Sequence, residues 1–191
     1  SENNKVRTPA DLMTLYLESV GRGASFLLNV PPDRRGLIYE TDAAALRSFG
    51  KILTDTFGRN LARGARLRAS DVRGKDPAYG PANLIDESRT TYWAANDGVT
   101  TPTVTVDLAR PATFNLVRLR EYIPLGQRVD SFAVDIWRNG DWTPFGVGTS
   151  IGLARILHAE TPVTASRLRL RVTGAAACPA LSELGLFHYE G

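Results

Sequence analysis

The chain has 191 residues, 43% hydrophobic and 23% charged, which suits one or two compact domains with real cores. Its 23 Lys and Arg against 20 Asp and Glu give a net charge of +3, and the basic residues are dispersed, which argues against a nucleic-acid partner. The single cysteine, Cys178, excludes a disulfide within the chain, and no apolar run reaches the roughly 18 residues of a membrane-spanning helix.

The opening SENNKVRTP is polar, with neither an initiator Met nor a signal peptide, and reads as an internal stretch of something longer. A helix is predicted over 8–20. Thr8 is its N-cap, Pro9 takes the first helical position, and Asp11 completes a capping box. Leu12, Leu15, Tyr16 and Val20 fall on one stripe, and Gly21 and Gly23 stop it. The apolar run ASFLLNV (24–30) predicts a strand buried on both faces, closed by Pro31-Pro32-Asp33. Thr41 is then the expected cap of a second helix over 42–56, with Leu46, Phe49 and Leu53 inward. A single strand between two helices would leave both its edges unpaired, so this segment reads as part of a larger α/β unit. The face made by Leu12, Leu15, Tyr16, Phe26, Leu28, Leu46, Phe49 and Leu53 should then be apolar beyond what this chain can cover.

Near Ala62 and Arg63 the pattern changes, which divides the chain into 1–62 and 63–191. Strands are predicted over 65–69, 103–108, 114–121, 129–137, 141–146, 154–158, 166–173 and 181–189, separated by Gly- or Pro-bearing turns. In FNLVRLREYIPLGQRVDSFAVDIW (114–137), Val117 and Leu119 alternate with Arg118 and Arg120, and Phe132, Val134 and Ile136 with Ala133 and Asp135. That period of two predicts one buried and one solvated face in an antiparallel sheet. Arg167, Arg169 and Arg171 alternate with Leu168, Leu170 and Val172 in the same way. Asn139-Gly140 predicts a tight hairpin of the primed type. Glu121 and Arg128, at the two mouths of the 122–128 excursion, are expected to form a structural ion pair that braces it. The whole is mainly β, an antiparallel sandwich or jelly roll.

The second part resembles the discoidin, or F5/8 type C, family, whose fold many family 32 carbohydrate-binding modules share. The resemblance lies in Asn83 to Asp86, Thr91-Tyr92-Trp93, Val104 to Leu108, Phe114 to Glu121 and Leu181 to Phe187. Asp86, Thr91 and Trp93 match the family's opening pattern, while Glu87 and Ser88 replace its Gly and Asn. Trp93 fits the family's buried Trp. The resemblance implies a structural Ca²⁺ held by Asp86, Thr91 and Glu183 with carbonyls of the 86–91 loop. Glu87 sits where Gly would turn the loop more easily. Sugar binding by such a sandwich would need exposed aromatics, and Tyr79, Tyr122 and Trp142, in or beside turns, are the candidates.

A second resemblance spans both parts. SENNKVRTPADLMTLYLESVGRGASFLLNVPPDRRGLI is similar to the end of the catalytic barrel of family 29 α-L-fucosidases of the 1,3/1,4-specific or plant-like branch. YWAANDG, the 119–137 stretch and ACPALSELGLF are similar to the discoidin-like domain that follows that barrel. The resemblance implies a small α/β remnant of a (β/α)8 barrel ahead of the sandwich. It implies a retaining hydrolase of α-linked fucose in fucosylated glycans, working through an Asp nucleophile and a Glu acid/base. Both carboxylates would lie upstream, so no catalytic residue is expected in this chain, no cofactor is required, and Glu2 reads as a solvated loop residue. The upstream catalytic segment would be a partner, and the location extracytoplasmic by analogy. The alternatives are a free-standing carbohydrate-binding module or an adhesion domain. The FLLNVPPD segment speaks against both, since neither would need an orphan strand and two amphipathic helices.

Overall fold

The computed structural model describes residues 6–191, so the readings of Glu2 and of the first residues lie outside the described part. Helix α1 (Pro9–Ser19) starts where the capping box predicts: Thr8 Oγ1 accepts the Asp11 N–H, and the Asp11 carboxylate accepts the Thr8 N–H at 3.0 Å. A short 3₁₀ turn (Val20–Arg22) extends it, and Gly23 ends it at φ 84°. Helix α2 (Glu40–Phe57) begins two residues earlier than predicted, after Tyr39 rather than Thr41, with Glu40 and Asp42 in the first turn, where acidic groups favour the helix dipole.

The strand expected over 24–30 does not form. The segment is extended but enters no ladder, and only Pro32 and Ile38 make an isolated bridge. The reason is the one that made the strand suspect: no other strand among the described residues runs beside it. Phe26 and Leu28 turn onto the helices, Phe26 edge-to-face on Phe49, while Leu27 is 94% exposed.

The β part comprises β1 (Arg66–Ala69), β2 (Trp93–Ala94), β3 (Thr103–Glu121), β4 (Val129–Arg138), β5 (Asp141–Gly148), β6 (Arg155–Ala175) and β7 (Ala180–Phe187). Every ladder is antiparallel, in the order β2-β7-β3-β6-β4-β5, with β1 on the first half of β3. Segments predicted as separate strands, 103–108 with 114–121 and 154–158 with 166–173, are the halves of β3 and β6. Pro111 does not break β3; the register shifts between Asp107 and Ala112, and the ladder resumes. The first half of β3 pairs with β1 and the second with β7, so the sheet folds over and its halves face one core. Val104, Val106, Val117, Leu119, Leu168 and Leu184 meet there with Trp93 and Phe132, each at 1% exposure or less. Asn139 and Gly140 both take positive φ, 51° and 84°, which is the primed hairpin predicted from that pair.

The outward face of β3 is not simply solvated. Leu116, with Ile156 and Phe187, packs under Leu12, Met13 and Phe49 of the helices in a second core. Part of the helical face expected to lie open is therefore covered by the sandwich itself. The large apolar side chains left exposed on the helical part are Leu27, Leu37 and Ile38. No helix of the described residues is long and apolar enough to cross a membrane.

Candidate functional site

One end of the sandwich gathers the loops after β1, β2, β3 and β6. Local bonds hold them in place. The Asp71 carboxylate accepts the Asn96 backbone N–H at 2.6 Å and its side-chain amide at 3.0 Å, tying the first two loops together. Trp93, fully buried, donates its indole N–H to the Asp71 carbonyl at 3.0 Å. Asn83 donates to the carbonyls of Ala78 and Tyr92 at 2.8 and 2.9 Å.

The third loop, 122–128, is braced by Glu121, but not through the expected ion pair. Glu121 is 3% exposed; its Oε1 accepts the backbone N–H groups of Arg128 and Val129 at 2.6 and 2.9 Å, and its Oε2 that of Gly152 at 2.7 Å. A buried carboxylate with three amide donors is satisfied without a counter-charge. The Arg128 side chain turns elsewhere, donating to the Leu125 carbonyl at 3.1 Å and to the Cys178 carbonyl and Sγ at 3.0 and 3.1 Å.

Three half-buried tyrosines cross this end. Tyr92 stacks on Tyr122 at 4.2 Å between centroids and 13° between planes, and Tyr79 leans on Tyr92 at 5.4 Å. Beside them Arg73 pairs with Asp97 and donates to Cys178 Sγ at 3.2 Å. Burial pushes the Tyr92 hydroxyl above its ordinary pKa and the neighbouring tyrosines act in the same direction, so it stays a neutral donor and acceptor. The Arg73 hydrogen bond holds the Asp97 carboxyl below the usual range. Aromatic surface rimmed by planar charged groups is the arrangement that holds a sugar ring by its C–H face and its hydroxyls. Of the aromatics predicted from sequence, Tyr79 and Tyr122 are brought together and Trp142 is not. Trp142 lies on β5 past the far end of β4, against Trp137 at 5.1 Å, with the Arg169 guanidinium 4.4 Å over its ring. Tyr92, the middle of the row, is not among the turn-borne candidates, and its one sequence signal is that it precedes Trp93 of the family pattern. Asp97 is not among them either, although it stands beside Gly98 in a turn.

The residues expected to hold Ca²⁺ do not fit it as arranged. Asp86 Oδ2 accepts the Thr91 hydroxyl at 2.6 Å and Oδ1 the Ser88 N–H at 2.9 Å. Both oxygens of Glu183 are engaged by guanidinium groups, Arg118 at 2.7 Å and Arg120 at 3.1 Å, so cationic side chains occupy the carboxylate a metal would need. Glu87 nevertheless takes the left-handed conformation of the glycine it replaces, at φ 63°. Among the described residues no three His, Cys, Asp or Glu side chains gather as a metal shell.

An antiparallel sandwich with an aromatic site among the loops at one end is a discoidin-type module. The F5/8 type C domain model matches residues 67–184, and the chain belongs to that family. The similarity extends past the module into the helices. The chain is 36% identical over 188 residues to a protein of Oryza sativa subsp. japonica that bears the α-L-fucosidase name, covering 97% of this chain and 36% of the relative. It is 35% identical over 179 residues to alpha-L-fucosidase 1 of Arabidopsis thaliana, covering 92% of this chain and 35% of that protein. A Ruminococcus gnavus family 29 fucosidase solved in complex with fucose superposes at a TM-score of 0.90 and 33% identity, over 96% of this chain and 37% of that one. The chain thus spans about a third of the length of these relatives.

Proposed function

We propose that this chain is the C-terminal, accessory portion of a retaining exo-α-L-fucosidase that removes α-1,3- or α-1,4-linked fucose from glycans. The observation that carries this reading is the extent of the similarity. It covers α1 and α2 as well as the sandwich, 97% of the chain in the rice relative, whereas the module alone accounts for 67–184. A free-standing sugar-binding module would explain the second part only.

In this reading the nucleophile and the acid/base, both carboxylates, come from an upstream catalytic segment. The groove lined by Val6, Leu12, Leu28, Val30, Pro32 and Leu46, beside exposed Leu27, is where that segment packs on the helices. The row of Tyr79, Tyr92 and Tyr122, with Arg73 and Asp97 at its edge, holds a sugar of the glycan. The linkage is tested by comparing fucose release from α-1,3/1,4-fucosylated and α-1,2-fucosylated trisaccharides by the joined protein. Preference for the α-1,2 substrate contradicts the assigned linkage.

A further inference from the structure

A cleft of about 270 Å³ opens between the 87–89 loop and the seam of helices and sandwich, and neither the tyrosine row nor the docking groove uses it. Arg118 and Arg120 of β3 and Glu183 of β7 form its floor, with Arg89 on the loop and Phe57 at the end of α2. Arg118 Nε and Nη2 both reach Glu183 Oε1, at 2.8 and 2.7 Å, and Arg120 Nη1 reaches Oε2 at 3.1 Å. Their side chains are only 15%, 14% and 15% exposed, so one net positive charge is held largely out of water. Arg89 is exposed and has no carboxylate partner among the described residues. Glu87 also lines the cleft but lies toward Arg63, at 3.9 Å. The walls therefore carry three guanidinium groups against two carboxylates.

Both arginines line the cleft and keep spare donors. Arg118 Nη1 and Arg120 Nε and Nη2 make no hydrogen bond among the described residues, and none of them is a sealed, unpartnered polar atom. Arg118 is fixed in place by the rings of Phe57 and Phe187, 5.1 and 4.6 Å from its guanidinium carbon. A partly buried excess cation is unfavourable unless a counter-charge with good geometry meets it. The planar guanidinium fork matches a carboxylate or a sulfate two oxygens at a time.

We propose that this cleft binds an oxyanion, the carboxylate or sulfate of an acidic monosaccharide unit, between Arg89, Arg118 and Arg120. The volume falls just under the usual small-ligand range of about 300–1,000 Å³, room for one sugar ring rather than a chain. This assignment does not depend on the fucosidase reading.

Calorimetric titration of the full-length protein at low ionic strength tests it, with inorganic sulfate and D-glucuronate as probes and neutral D-glucose as control. Saturable binding of either anion at one site, absent for glucose, is expected. Sulfate alone marks a sulfated ligand and glucuronate alone a carboxylated one. Arg89→Ala, a change at an exposed loop position that leaves the core alone, should weaken the bound anion about fivefold, and Arg120→Gln tenfold or more. Absence of saturation by about 20 mM of both anions, or undiminished affinity in Arg89→Ala, overturns the proposal.

Discussion

The rings of Tyr92 and Tyr122 lie face to face, 4.2 Å apart and 13° from parallel. They come from different loops, and their stacking joins those loops into one surface. Offset aromatic pairs contribute about 0.5–1.5 kcal/mol beyond burial, and a sugar ring would use the same surface. Tyr122→Ala should lower affinity for a fucosylated oligosaccharide about tenfold, an effect near 1.4 kcal/mol. Trp142→Ala should leave that affinity unchanged, because the far hairpin takes no part. Titration of both variants with one oligosaccharide separates the two sites.

Glu121 serves the same surface from beneath. The hydrogen bonds it accepts from three backbone N–H groups join the 122–128 loop to Gly152. Glu121→Gln keeps the shape but turns an NH₂ toward at least one N–H donor, and an unmet buried donor costs about 1–3 kcal/mol. The variant should unfold at lower urea, and hydrogen exchange at Arg128, Val129 and Gly152 should rise first. Unchanged exchange at those amides would contradict the bracing role.

Asp135 sets a pH dependence. Burial alone would push its carboxyl up, but hydrogen bonds from Arg171 and Arg169, with their charges, outweigh burial and hold it below the ordinary range. A depressed pKa in the folded state contributes stability that is present above the unfolded value, about 3.9, and lost as pH falls through the folded value. Melting temperature should therefore drop on acidification below about pH 4. Asp135→Asn should cost about 1–3 kcal/mol at neutral pH, since the two guanidinium groups that lose their carboxylate are 28% and 39% exposed and water screens them, and should flatten that acid limb. Melting curves from pH 2 to 7 on both proteins decide it.

Glu87 holds φ at 63°. A non-glycine residue there costs about 1–2 kcal/mol, offset in part because glycine loses more chain entropy on folding. Glu87→Gly should raise stability by about 0.5–1 kcal/mol in urea unfolding. A loss of stability would show that its weak pairing with Arg63 or its place in the cleft matters more than backbone strain.

What the sequence revealed followed from local rules. The capping box at Thr8 and Asp11 and the Asn139-Gly140 hairpin each depend on neighbours within a few residues, and each appears in the fold. The alternation in β4 does not give a solvated face: Ala133 and Asp135, expected outward, are 5% and 3% exposed, because Asp135 lies under Arg169 and Arg171. The rest depended on contacts made at a distance. The apolar run 24–30 looks like a strand to any local rule, but a ladder needs a partner strand. Pro111 looks like a break, yet a bulge absorbs it inside β3. Glu121 and Arg128 have opposite charges across a loop, but backbone amides reached the carboxylate first. Arg118 and Arg120 alternate as a solvated face would, until the helices and Glu183 cover them. The tyrosine row was half legible: turn positions pointed to Tyr79 and Tyr122, and only the fold placed Tyr92 between them.

The central claim is tested most directly by the fate of fucose. The protein carrying its upstream segment should release fucose from an aryl α-L-fucoside, with the α-anomer appearing first by proton NMR, and the 191-residue chain alone should release none. First appearance of the β-anomer, no release by the joined protein, or turnover by the purified chain alone would contradict the account.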